Sequence, residues 1–293
     1  MRVTLNMIYG NTTRNLNQIQ QRYLQLEEIL LSNKKINRPS DDPVGAARAL
    51  DLDKTLSVLG QFERNLSQAD GYVTQIDVAL NNVIDRMQRA IELTTDINGG
   101  VASAGDYAAA AEEMDGILDE VLRNANMKYG NRYVFAGYDS TNPPFDDVGN
   151  YTGGASGEDI DLEIAQGQYL TINMTGDDVF KNGIDVMQTL IDTRDAIAAG
   201  DQTLITNQLP LLQDALDQII VFNSENGAKQ NRISVAENDH EVMRESITAM
   251  LSDVEDADIV AMSSEFAQQE QVLQASQLVA SRILSQNFLD FLA

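Results

Sequence analysis

The strongest constraint on this chain is where its helix seams fall: both ends carry them and the middle does not. Leu5, Tyr9, Thr12, Leu16, Ile19, Tyr23, Leu26 and Leu30 alternate three and four residues apart. The same spacing runs through Leu52, Thr55, Leu59, Phe62, Leu66, Ala69, Val73, Ile76, Leu80, Val83, Met87, Ala90, Thr94 and Ile97. That stripe is too long for an ordinary globular helix and has the coiled-coil period. A third seam reads Leu212, Ala215, Ile219, Phe222, Asn226, Lys229, Ile233, Ala236, His240, Met243, Ile247, Met250 and Val254. The pattern predicts a mainly α fold, a long antiparallel helical coiled-coil rod built from both termini with a small β-rich inserted domain in the middle. Such a hairpin suits an assembly subunit.

Several functional classes are disfavoured by composition. With 293 residues and 43% apolar content the chain can build real cores. A net charge of −25 opposes nucleic acid and anionic membranes, because phosphate contacts need clustered Lys and Arg. The expected partners therefore include no nucleic acid and no membrane. No apolar run reaches spanning length, and the N-terminus lacks the basic and apolar segments of a cleavable secretory signal. Without cysteine there is no disulfide to report the compartment.

Boundaries follow from turn and cap residues. Arg38, Pro39, Ser40, Asp41, Asp42 and Pro43 stop a first helix and offer caps for a second, expected over about 43–97 and roughly 80 Å long. Gly71 lies inside it with the seam in register, which reads as a close packing point. A third helix is expected from Asp106 to about Tyr129, ending at Gly130. Beyond it, Ile160, Leu162 and Ile164, then Leu170, Ile172 and Met174, alternate with polar residues around Gln166-Gly167-Gln168, a hairpin pattern. Helical pattern resumes at about Asp185 and runs to Val254, where Glu255-Asp256-Ala257-Asp258 breaks it and supplies an acidic N-terminus for a last helix whose stripe includes Ile259, Met262, Phe266, Leu273, Ala280, Leu284 and Phe288. The chain thus divides into terminal arms, residues 1–40 and 255–293; a helical rod, 41–130 and 185–254; and a β-rich insert, 131–184. Few contacts are expected to cross from the insert, since turn-rich sequence bounds it.

No catalytic constellation emerges. His240-Glu241 begins a zinc-protease motif, but Arg244 stands where the second ligand belongs, so His240 reads as a polar layer in the seam. One histidine and no cysteine leave the usual nucleophile and base pairs almost unavailable. Asp41-Asp42, Asp146-Asp147 and Asp177-Asp178 each sit where a cap or turn wants Asp, and none matches an EF-hand loop. The expectation is no enzyme, no catalytic residue, no cofactor and no metal.

The terminal seams need more cover than one another. A helix over 5–33 is roughly 45 Å long, and a two-helix hairpin of that size has little core. Charge favours the pairing. Residues 1–40 hold six basic against two acidic side chains, a net +4, and residues 250–293 hold one basic against seven acidic, a net −6. Leu5, Tyr9, Leu16, Ile19, Tyr23, Leu26, Leu30, Ile259, Phe266, Leu273, Leu284 and Phe288 are accordingly the candidate assembly residues, with Arg38 to Pro43, Asp256 and Asp258 as the helix junctions.

The residues from Ile36 through Arg38-Pro39-Ser40-Asp41-Asp42-Pro43 to Ala47, the long helix after them, Gly227-Ala228-Lys229-Gln230-Asn231-Arg232-Ile233, and Asp256-Ala257-Asp258 before the last helix resemble bacterial flagellin. The Tyr133-Val134-Phe135-Ala136-Gly137 strand, Pro143-Pro144-Phe145 and Gly176-Asp177-Asp178-Val179-Phe180 are more similar to the hook-associated branch of that superfamily. The resemblance covers residues 1–130 and 185–293; between them only those short strings match. It implies a structural subunit of the bacterial flagellum that joins hook to filament, with terminal helices that order on assembly. The partners it implies are the chain itself in a ring or helical layer, a neighbouring hook-associated protein, flagellin, and an export chaperone at the C-terminal region. It also implies export without a cleaved signal to an extracellular position at the hook–filament junction. A short flagellin, the filament subunit itself, and a surface binding protein acting through the β insert remain as alternatives.

Overall fold

A computed structural model describes residues 5–100, 102–154 and 159–292, with the side chains of all of these except 5, 6, 8 and 283–292. Seven helices and four short strands follow one another among them: α1 (Leu5–Ser32), α2 (Pro43–Gly99), α3 (Ala104–Ala125), β1 (Lys128–Tyr129), β2 (Arg132–Tyr133), β3 (Asp161–Ala165), β4 (Gln168–Thr171), α4 (Gly176–Lys181), α5 (Val186–Ala199), α6 (Gln202–Glu255) and α7 (Ile259–Leu292). The fold is mainly helical with a strand-containing region in the middle. It forms two compact units, one from residues up to 58 with those from 243 onward, the other Leu59–Val242.

In the Leu59–Val242 unit the heptad seams become the core. Leu66, Val73, Ile76, Leu80, Val83 and Met87 of α2 are fully buried, as are Leu212, Ala215 and Ile219 of α6. Three pairs fix α2 and α6 as antiparallel: Asn226 Nδ2 donates to Val73 O at 2.9 Å, Asn223 Nδ2 to Asn81 Oδ1 at 3.1 Å, and Phe62 meets His240 with ring centroids 5.9 Å apart. At Gly71 a Cβ would run into the Tyr129 hydroxyl and lie 2.9 Å from its ring Cζ, so the expected close packing point is real. Nearby, Tyr72 donates its hydroxyl to Val134 O at 2.9 Å, and burial pushes its phenol up to about 12.

The strand region departs from the sequence reading in three ways. First, α3 stops at Ala125 instead of near Tyr129, because Lys128 and Tyr129 pair with Tyr133 and Arg132 in a hairpin turning at Gly130, φ +60°. Second, the strand over Tyr133–Gly137 is confined to Arg132–Tyr133; Val134, Phe135 and Ala136 are fully buried as an irregular plug. Third, few contacts were expected to cross from residues 131–184, yet Phe135, Phe145, Ile164, Leu170 and Phe180 belong to the same hydrophobic cluster as α2, α3, α5 and α6. Phe180 stands edge-on to Phe135 and to Phe145, each at 5.4 Å. The turn residues bounding this stretch do not decouple it, because its large side chains point into the helical core. The β3–β4 hairpin itself forms as the alternation predicts, in the register Asp161↔Thr171 and Leu162↔Leu170, with Gly167 at φ +71°.

Local capping explains where the shorter helices begin. Ser103 and Asp106 form a reciprocal capping box that opens α3. The Ser103 backbone N–H and hydroxyl both donate to the Asp106 carboxylate and hold it below the usual carboxylate range. Thr175 and Asp185 cap α4 and α5 more simply, their side chains accepting the backbone N–H of Asp178 and of Gln188.

Candidate assembly surface

The other unit is built around two junctions whose contacting residues lie 218 positions or more apart in the sequence and are brought together by the fold. α1 ends at Ser32 because Asn33 takes the left-handed conformation, φ +59°, a helix-terminating geometry that Asn tolerates. Lys34 then forms an isolated antiparallel bridge with Asp256. Lys35 N donates to Glu255 O at 2.7 Å and Ala257 N donates to Asn33 O at 3.0 Å. The Lys34 ammonium pairs with the Glu255 carboxylate, which is almost buried, and Lys35 Nζ donates to Asp253 O at 2.7 Å.

Both proline- and aspartate-rich segments act as caps. Asp41 Oδ2 accepts the N–H of Asn37 at 3.2 Å and of Arg38 at 2.9 Å, closing the turn that holds Pro39 and Ser40. Arg38 reaches back to Glu28 at 3.0 Å. Asp42 Oδ1 accepts Val44 N at 3.1 Å, so α2 starts at Pro43 with a side-chain cap. Asp258 Oδ1 accepts Val260 N and Ala261 N, each at 3.0 Å, and opens α7. Gly45 lets this corner close: a Cβ there would stand 2.5 Å from Ile36 Cδ1.

From the junction α1 and α7 run back antiparallel. Arg22 pairs with Glu265 at 2.5 Å, Tyr23 stacks on Phe266 at 4.8 Å, and Gln269 Nε2 donates to Ile19 O at 3.1 Å. Arg22–Glu265 and Lys34–Glu255 are where the opposite charges of the two arms meet. The predicted α1 seam is the covered face, but thinly: Leu26 is fully buried, while Tyr9, Leu16, Ile19, Tyr23 and Leu30 are only half-buried. On α7, Phe266 and Leu273 are half-buried and Ala280 is buried. Leu5, Leu284 and Phe288 lie outside the residues whose side chains are described.

Some seam positions are corrected. Ile259 is exposed: it is the first residue of α7, where a helical side chain has no preceding turn of its own helix to lie over, and the covered stripe starts one turn later at Met262. On α6, Ile247 is buried but Met243 and Met250 are 53% and 47% exposed, and on α2 Thr55 is exposed. Past His240 every second seam position lies on the rim. Apolar side chains also stand open on the arms, Leu24 and Leu31 on α1 and Val260, Leu278 and Val279 on α7. Between the arms a groove of about 440 Å³ is lined by Leu16, Ile19, Val272 and Val279 among others.

The singled-out polar residues take structural positions. His240 is 6% exposed on α6, with Nδ1 buried and unpaired. Among the described residues no group of three or more His, Cys, Asp or Glu is placed to hold a metal ion. Asp146 accepts the N–H of Val148 and Asn150 and the Asn150 amide, which hold its carboxyl low. Lys229 donates to Asn173 O at 2.8 Å, and burial pushes its ammonium pKa down. Sequence reasoning placed the C-terminal break at Glu255 but missed Asn33, Lys34 and Lys35 as the residues that meet it. Only Asn33 carried a signal, since Asn just past a helix end is a common terminator.

Two family models match the chain. The bacterial flagellin N-terminal helical region matches residues 3–140 and the bacterial flagellin C-terminal helical region matches residues 209–292. The chain belongs to the flagellin family. Among curated relatives it is similar to flagellar hook-associated protein 3 of Escherichia coli K12, 26% identical over 94% of this chain and 95% of the relative. Among solved structures it is similar to Bacillus cereus FlgL, 24% identical with a TM-score of 0.62, over 69% of this chain and 99% of that one. It is also similar to the flagellar junction protein FlgL of Legionella pneumophila, 15% identical with a TM-score of 0.60, over 71% and 99%. These structural likenesses are ones of fold. In flagellin terms, α1 and the N-terminal junction fall in one matched helical region and α7 with the C-terminal junction in the other, while β3, β4 and α5 lie between them.

Proposed function

We propose that this chain is the structural subunit that joins hook to filament in a bacterial flagellum. The observation that carries this reading is its correspondence to flagellar hook-associated protein 3 from one end to the other, including the segment between the two family regions. In this reading Tyr9, Leu16, Ile19, Tyr23, Leu26, Leu30, Phe266 and Leu273 are the assembly residues, with Leu5, Ile259, Leu284 and Phe288 extending the same helices. Half-burial supports that role. A fully buried Leu or Ile contributes about 1.5–3 kcal/mol, whereas ordering the backbone costs about 1–2 kcal/mol per residue, so a pair of helices with half-covered seams needs further partners. A second copy in a ring or helical layer, a neighbouring hook-associated protein and flagellin supply those surfaces, and an export chaperone holds the C-terminal arm beforehand. The chain leaves the cell without a cleaved signal, its arms ordering as it joins the axial stack. It has no enzymatic role.

The test is complementation of a strain lacking this subunit, with immunogold location of the protein. The unaltered chain is expected in a narrow band between hook and filament. Placing Asp at both Leu16 and Tyr23 should abolish incorporation while the Leu59–Val242 unit stays folded. Labelling along the whole filament, or growth of long homopolymers on seeds by the purified protein, would make it a filament subunit instead.

A further inference from the structure

The acidic run at the end of α6 favours a break, but it holds no residue that forbids a helix from continuing past Glu255. Ser252-Asp253-Val254-Glu255-Asp256-Ala257-Asp258 contains no glycine or proline. In an uninterrupted helix Ala257 N would donate to Asp253 O, Asp258 N to Val254 O and Ile259 N to Glu255 O. Residues 33–35 divert three of these six groups. Ala257 N goes to Asn33 O at 3.0 Å, Asp253 O receives Lys35 Nζ at 2.7 Å, and Glu255 O receives Lys35 N at 2.7 Å. The Lys34 ammonium neutralises the Glu255 carboxylate, whose side chain is only 10% exposed. α6 remains helical up to this point, with Asp256 N donating to Ser252 O at 2.9 Å.

We infer that the break between α6 and α7 is imposed in trans by the N-terminal segment, and that undocking residues 33–35 lets α6 and α7 join as one continuous helix. The junction is a two-state switch. With Asn33, Lys34 and Lys35 docked, α7 begins afresh at Ile259 and lies along α1. With them removed, the freed carbonyls of Asp253 and Glu255 and the freed N–H of Ala257 find their nearest partners along their own helix. The opposing influence is Asp258, whose carboxylate caps Val260 and Ala261 and so favours a new helix start. The competition is between that single side chain and a set of diverted backbone bonds, which places the N-terminal segment in control. The direction of the C-terminal arm is thereby tied to whether the N-terminal arm has docked, without any contact between the arm tips.

The test uses the full chain carrying Lys35→Pro, which deletes both the amide donor to Glu255 O and the ammonium donor to Asp253 O while keeping an extended backbone. The expected result, read by NMR, is a shift of the Cα resonances of Asp256, Ala257 and Asp258 to helical values. Slower amide exchange at Asp258 and Ile259, by roughly tenfold or more, should accompany it. The combined variant Lys34→Met and Lys35→Met, which leaves the backbone amide in place, should move the same resonances in the same direction by less. Protected amides across residues 59–242 establish that each variant is folded; should Lys35→Pro lose them, the methionine variant decides. If Asp256 to Asp258 keep extended shifts, the break is intrinsic to the C-terminal sequence and the inference is wrong. Disorder over residues 253–262 in place of helix overturns it equally.

Discussion

Replacing His240 with leucine is expected to stabilise the Leu59–Val242 unit, because the histidine occupies a core position without using its polarity. The residue is 6% exposed, and its Nδ1 is buried without a hydrogen-bond partner. A buried polar atom left unpaired costs about 1–3 kcal/mol, and leucine removes it while filling a similar space at a seam position that favours an apolar residue. Against this, the substitution gives up the contact with Phe62, whose ring centroid lies 5.9 Å away at an interplanar angle of 41°. Such aromatic pairs contribute about 0.5–1.5 kcal/mol beyond their burial. The balance is a gain of about 1 kcal/mol, or roughly 2–4 °C in Tm for a unit of this size. Urea unfolding should place the midpoint higher with an unchanged slope, and motility should be retained. A loss of about 1 kcal/mol or more would refute the reasoning, since it would mean that the imidazole makes a bond the fold depends on.

Phe180→Ala should cost about 3–5 kcal/mol in urea unfolding, because the ring is fully buried against Phe135 and Phe145. The strand region and the helices of that unit should melt in one transition, and deleting residues 138–175 should collapse the helical circular-dichroism signal; separate transitions would mean that the insert is independent after all. Asp106 has a folded pKa held below its unfolded value by Ser103, so its contribution is present above the unfolded carboxylate range, about pH 4, and is lost as pH falls through the folded value. Melting temperatures of the unaltered chain and Asp106→Ala should therefore differ at pH 7 and converge in strong acid, and a difference that grows in acid would reverse the assignment.

Sequence alone determined the parts of this protein that rest on near neighbours in the chain. The three-and-four spacing from Leu59 to Ile97 marks a face that is buried or half-buried at every position, because helical periodicity puts those side chains on one side whatever they meet. The turn at Gly167 and the cap at Asp258 were legible for the same reason: each is a contact within a few residues. Tertiary structure decided what depends on distant segments. Nothing near Phe135 or Phe145 says that their rings join a helical core, and nothing near Glu255 says that Lys35 will take its carbonyl. Exposure at Ile259, Met243 and Met250 was equally invisible, since a heptad gives the face of a helix but not how many neighbours cover it. Local pattern fixes which groups need partners; only the folded chain, by closing loops of hundreds of residues, chooses them.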